Sequence, residues 1–284
     1  MVLPAVNLLE GLEERGYVVG KNLIIACSVS DGTAEQYRVL TAELVQLQVD
    51  MIFAVSSSAV RAARQATSTI PIVAIDLETD PVESGLAASL ARPGGNVTGL
   101  FLDLPELNGK RLELLMETLP GLSRLAVLSD AAMDPTPLRA TEVAAHAVGV
   151  QLQVLEVRSP TDVESAFAAA TREGASALMV LQSPMLTLQG TRVAELALEN
   201  RLPTIAMFPL FVEQGGLMSY GPDIRYLFRY AASFVDKILK GARPADLPIE
   251  RPMRFSLAIN LKTAQTLGLT LPPLLLWRAD QVIR

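Results

Sequence analysis

Short apolar runs alternate with segments of helical spacing along most of this chain, and no other feature limits its possible folds so strongly. The runs are Leu23–Ala26, Met51–Val55, Ile72–Ile75, Leu125–Leu128, Leu152–Leu155, Ala177–Leu181 and Thr204–Ala206. Each is apolar along its length instead of alternating with polar residues, the pattern of strands buried on both faces. Between them, Leu112, Leu115, Met116 and Leu119 fall on one helical face, and Val163, Ala166, Phe167 and Ala170 on another. The longest such face holds Ile224, Leu227, Phe228, Ala231, Phe234, Val235 and Ile238, with Gly241 where a helix end wants it. Ser159, Pro160 and Asp162 make a helix start with a cap, a proline and a first-turn acid. Strand, helix, strand in this order means parallel sheets with helices on both faces, an α/β protein.

Two such series occur, over about residues 5–101 and 107–220, with a turn-rich stretch from Arg92 to Asn96 and Pro105 between them. A single sheet would have to hold every strand, so two lobes are expected, each a doubly wound parallel sheet. The first helix carries Val6, Leu9 and Leu12 on one face but has no strand before it, where a βα lobe opens with one. The first strand, together with any export signal, is therefore expected to be missing from the start.

Composition excludes several classes. With 24 Lys and Arg against 30 Asp and Glu, the net charge is −6, which leaves no basic face for nucleic acid. His146 is the only imidazole and Cys27 the only thiol. Multi-ligand zinc sites and Ser-His-Asp chemistry have almost nothing to draw on. No catalytic residue, metal site or cofactor is expected. No apolar stretch reaches the roughly 18 residues of a membrane span.

Open α/β sheets bind ligands beyond the carboxyl ends of their strands. In the first lobe this directs attention to Ser56, Ser57 and Ser58, which suit an anion such as a carboxylate at a helix start, or simply a helix cap. Asp76 follows the next strand and suits a ligand ammonium, while Asp80 reads as a cap for a helix opened by Pro81. In the second lobe the matching positions are Asp130, Gln182, Ser183, Phe208 and Tyr220. The two aromatics read either as a sandwich for a flat ligand group or as core packing. His146 reads as a surface or packing residue, and Trp277 as part of a packed tail.

Several stretches together carry a resemblance. They are Gly11–Asn22, Asp80–Gly85, Leu90–Gly99, Gly215–Pro222, Ile259–Ala264 and Leu267–Pro273. In this order and spacing the chain resembles the substrate-binding proteins of bacterial ABC transporters, a family that includes binders of tryptophan and other aromatic amino acids. The resemblance implies a type I periplasmic-binding fold, two lobes with a hinge of three crossings near residues 101–106, 220–223 and 252–258. Lobe 1 is then residues 1–103 plus 222–252, and lobe 2 residues 104–221 plus 253–284.

It also implies a periplasmic monomer that captures a small organic solute and delivers it to ABC permease subunits. The solute class is an aromatic or branched amino acid or a related carboxylate. The alternative is a ligand-sensing receptor subunit on the same fold. Amino-acid binders resemble this chain less at Ser183, where they carry an acid suited to an ammonium; Asp130, where relatives often carry Asn, is expected to supply that charge instead.

Overall fold

The computed structural model describes residues 3–28, 33–77, 79–102 and 105–284. In chain order the elements open with α1 (Leu3–Glu13), α2 (Ala34–Gln46), β1 (Ile52–Val55), α3 (Ser57–Ala66), β2 (Ile72–Asp76) and β3 (Val97–Phe101). There follow α4 (Pro105–Thr118), β4 (Arg124–Asp130), α5 (Thr136–Ala147), β5 (Gln151–Val157), α6 (Val163–Arg172), β6 (Ala177–Val180), α7 (Pro184–Leu188), α8 (Gly190–Glu199), β7 (Thr204–Ala206), α9 (Pro209–Glu213) and β8 (Met218–Pro222). The chain ends with α10 (Ile224–Leu239), β9 (Phe255–Asn260), α11 (Leu261–Thr266), α12 (Pro273–Arg278) and β10 (Gln281–Ile283). These divide into two compact units: Met1–Asp103 with Asp223–Arg254, and Leu104–Pro222 with Phe255–Arg284.

The first unit is built on a parallel sheet in the order β1-β2-β3. β2 and β3 are buried along their whole length, as strands covered on both faces are. Gly99 lets β3 lie this close to β2: its φ is +132°, and a Cβ there would sit 2.2 Å from the carbonyl oxygen of Ala74. Against the sheet lie Val60 and Ala63 of α3, within a core that also takes Ile52, Ile72, Ala74, Val97 and Phe101. α10 presents Leu227, Phe228, Ala231, Phe234, Val235 and Ile238 as a buried stripe, as its spacing predicts, and it packs along α1.

The second unit carries a larger sheet, ordered β10-β9-β8-β7-β6-β4-β5. Successive residues of a strand point to opposite faces, and the two cores show it. Leu125 and Val127 of β4 join Met179, Ile205 and Leu257 on one side, while Ala126 and Leu128 join Leu178, Val180 and Phe167 on the other. Each fully buried Leu or Phe contributes roughly 1.5–3 kcal/mol, so two-sided burial is what holds β4 and β6 at the centre.

Four features differ from the sequence expectations. Leu23–Ala26 is not a strand: Ile24 is 94% exposed, and the segment makes only an isolated bridge, Val19 with Leu23. An apolar run becomes a strand only when a neighbouring strand takes up its amides, and among the described residues none does. β9 runs antiparallel to β8, so the second sheet is mixed and not purely parallel. Pro81 opens a turn in place of a helix. Trp277 on α12 is 84% exposed and does not pack into the tail. His146 is exposed on α5.

Candidate functional site

In the first unit the carboxyl ends of β1 and β2 lie side by side, with Val55 paired to Ile75. The amide of Ser56 donates to the Ile75 carbonyl at 2.9 Å, which places the serine loop next to Asp76, the last residue of β2. Ser56 is the N-cap of α3, its Oγ accepting from the Ala59 amide at 3.4 Å. Its backbone sits at φ +90°, ψ 154°, a region that glycine occupies and serine rarely does. Such strain persists only where the surroundings enforce it, and it tends to collect at ligand sites.

Ser57 is buried and Ser58 half-buried at the amino-terminal end of α3, where the helix dipole favours an anion. Asp76 is fully buried, and its Oδ1 accepts from the Thr79 amide at 3.2 Å. Glu78 of the same loop lies outside the described residues. Asp80 caps its turn by accepting from the amides of Val82 and Glu83.

In the second unit the register brings the remaining residues to one sheet edge. Leu128 pairs with Val180 and Met179 with Ile205, so Asp130, the last residue of β4, stands level with Gln182 and Phe208, each two residues past a strand end. Ala206 pairs with Ser219, which puts Tyr220 beside Met207 on the next strand. Gly221 permits that approach, because a Cβ there would lie 2.4 Å from the Met207 carbonyl oxygen.

The side chains are fixed to different degrees. Asp130 accepts from the Ala132 amide at 2.9 Å. Gln182 donates through Nε2 to Thr187 Oγ1 at 3.1 Å, and that hydroxyl donates to the Ser183 carbonyl. Ser183 is buried as the cap of α7, its Oγ accepting from the Leu186 amide at 3.0 Å. Phe208 precedes α9 and is half-buried. Tyr220 stacks on Phe255, ring centres 6.0 Å apart and 18° from parallel. One face of Tyr220 is thus taken by Phe255, which the antiparallel β8–β9 pairing delivers to that ring.

One residue of this edge escaped the sequence reading. Arg111, on α4, is 1% exposed, and its Nε donates to the Tyr220 carbonyl at 2.9 Å. Its Nη1 donates to Asn108 Oδ1 at 2.7 Å, and Asn108 Nδ2 donates to the Pro137 carbonyl at 2.8 Å. A chain of polar contacts thus runs from the first turn of α5 to the middle of β8. Burial pushes the guanidinium down from its usual range to about 9. The sequence signal was present: Asn108 and Arg111 sit on the same helical stripe as Leu112 and Leu115, where polar residues have to be buried.

A surface cavity of about 780 Å³ in the first unit is lined by Asp50, Pro71 and Asn96. These residues precede β1, β2 and β3, so the cavity lies at the amino ends of the strands, opposite the serine loop.

Two α/β units with polar and aromatic residues gathered at strand carboxyl ends define a solute-binding class of protein. The family model described as "ABC transporter substrate binding protein" matches residues 5–283, and this chain belongs to that family. A tyrosine-binding protein of Clostridioides difficile (strain R20291) is 27% identical over 266 residues, 93% of this chain and 76% of that protein. A conserved domain protein from Vibrio cholerae superposes with a TM-score of 0.91 at 27% identity, covering 98% of this chain and 94% of the other. An ABC domain from Streptococcus pneumonia, in complex with L-Trp, gives 0.90 at 26% identity, covering 99% and 94%.

Proposed function

We propose that this chain is the extracytoplasmic solute-binding component of an ABC importer, a monomer that delivers its ligand to the permease subunits. The ligand is an aromatic or branched amino acid or a related carboxylate. The observation that carries this reading is the strained Ser56 loop beside Asp76 at one sheet edge. Hydroxyls at the positive end of the α3 dipole suit a carboxylate, and the adjacent acid suits an ammonium. In the second unit Asp130, Gln182, Phe208 and Tyr220 supply charge, hydrogen bonding and flat apolar surface. The relatives that bind tyrosine and L-Trp support the same ligand class.

No covalent step is needed. Contacts offered by both units act together only in a ligand-bound state, and ligand binding raises the population of that state. The test is a thermal-shift screen with L-Tyr, L-Trp, L-Leu and aromatic carboxylates that lack an amino group. A ligand at one hundred times its dissociation constant stabilises the folded chain by about 2.7 kcal/mol. A shift with the amino acids is expected. A response confined to carboxylates without the amino group would assign Asp76 and Asp130 another role, and no response to any would overturn the reading.

A further inference from the structure

A groove of about 730 Å³ lies where α1 meets α10 in the first unit, and it is rich in arginine although the chain as a whole is acidic. Two of its arginines are already engaged. Arg229 pairs with Glu14 and Glu10, and Arg15 donates to the Gly11 carbonyl. Arg225 and Arg254 form no ion pair among the described residues.

Arg254 lies over an aromatic ring. Its guanidinium carbon lies 4.3 Å from the ring centre of Tyr226, which stacks on Tyr230 at 5.7 Å and 8°. Tyr230 in turn meets the buried Phe234 edge-on at 6.1 Å and donates from its hydroxyl to Glu250 at 2.6 Å. The column therefore runs from the core outward and ends in a cation. The Asp223 amide donates to the Arg254 carbonyl at 2.9 Å, which fixes the backbone below the guanidinium. Asp223 is the acid nearest in sequence to Arg225, and its carboxylate is taken up as the cap of α10, accepting from the Tyr226 amide.

A guanidinium immobilised on a ring keeps its planar fork of N–H groups ready for a carboxylate and loses little freedom on binding. Its outer face is a platform for a second flat group. We propose that this groove is a binding site for a small aromatic carboxylate, the carboxylate gripped by the Arg254 fork with Arg225 beside it. This site is separate from the strand-end residues of the proposed function and stands or falls without them.

The experiment is equilibrium dialysis of benzoate, acetate and inorganic phosphate against the full chain. The variants are Arg254→Ala, Arg254→Lys, Tyr226→Leu and Ser56→Gly, each checked for an unchanged near-ultraviolet spectrum. Benzoate is expected to bind better than acetate or phosphate. Arg254→Ala should weaken it at least tenfold, and Arg254→Lys and Tyr226→Leu severalfold, because one loses the fork and the other its support. Ser56→Gly should leave this binding unchanged. Benzoate binding that is indifferent to Arg254→Ala, or absent from the wild type, overturns the proposal, as does tighter binding of acetate or phosphate. Loss with Ser56→Gly alone would place benzoate at the strand ends instead.

Discussion

The Nε of Arg111 donates to the carbonyl oxygen of Tyr220 across 2.9 Å, inside a part of the second unit where the guanidinium is 1% exposed. Among the described residues Nη2 of the same side chain finds no hydrogen-bond partner and two of its donor groups are engaged, so the cation carries a desolvation cost. Arg111→Ala should destabilise the protein by about 4 kcal/mol, from the cavity and from the orphaned Tyr220 carbonyl and Asn108. Arg111→Met keeps most of the volume and removes the buried charge, so its cost should stay below about 2 kcal/mol. Urea unfolding of both variants measures the difference.

Alkaline pH separates the charge from the packing. With its folded value near 9, well below the usual guanidinium range, Arg111 is charged in both states below pH 9, and the burial cost is fully present there. Above pH 9 the folded state releases the proton first and the cost is relieved. The stability of the wild type relative to Arg111→Met should rise with pH from about 9 upward, by at most ~1.4 kcal/mol per unit. A flat difference between pH 8 and 11 would show the guanidinium to be fully charged in the fold.

Ser56 offers the opposite experiment, in which stability is gained and function lost. Its φ of +90° is a glycine conformation, and relieving such strain is worth roughly 1–3 kcal/mol. Ser56→Gly gives up the capping hydroxyl, which costs only a few tenths. The variant should therefore be more stable by about 1 kcal/mol in denaturant unfolding, and it should bind the solute found by the thermal-shift screen more weakly. A variant equal to wild type in affinity would make the strain a matter of folding alone.

The strands that could be read from the sequence were those whose side chains are buried on both faces. Ile72–Ile75 and Ala177–Leu181 spell out their surroundings because no polar residue is tolerated there. β3, Val97–Phe101, was hidden by Gly99, whose presence records a backbone contact with Ala74 and not a strand preference. β8 and β9 were missed because Gly221 and Pro222 read as a turn, while their antiparallel pairing depends on partners 33 or more residues apart. Leu23–Ala26 failed in the other direction, for β propensity without a partner does not make a strand. At the site, sequence position relative to strand ends placed Ser56, Asp76, Asp130, Gln182, Phe208 and Tyr220 at sheet edges. Which ring meets which was not legible: Tyr220 turns to Phe255 by a sheet register that no local pattern encodes.

Gly99 makes a sharper claim about the first unit. A methyl group there would lie 2.2 Å from the Ala74 carbonyl oxygen and 2.7 Å from its nitrogen, both backbone atoms that cannot turn away. β2 and β3 would have to part at the middle of a sheet held in the order β1-β2-β3. Gly99→Ala should cost more than about 4 kcal/mol, in the range reserved for overpacking combined with backbone strain. The expected result is a chain whose first unit no longer protects the β2 amides that face β3 from hydrogen exchange; protection retained at Ile72, whose amide donates to the Asn96 carbonyl, would contradict the register.

Tyr230 links the groove to alkaline titration. Its hydrogen bond to Glu250, aided by burial and by the negative charge of that carboxylate, pushes the phenol up to about 12. Since the folded value exceeds the ordinary 10, the bond's contribution is fully present below pH 10 and is lost as pH rises toward 12. Of the five tyrosines, Tyr17 is also raised, by burial and by its bond to Asp236, so two late ionisations are expected in absorbance at 295 nm. Tyr230→Phe should remove the one near pH 12 and leave the other. The melting temperature of this variant should lie below that of the wild type at pH 9, and the gap should close by pH 12. Because Tyr226 lies between Tyr230 and Arg254, ionising Tyr230 should also loosen the guanidinium platform, and benzoate affinity should fall over the same interval in the wild type. In Tyr230→Phe any decline over that interval should be smaller.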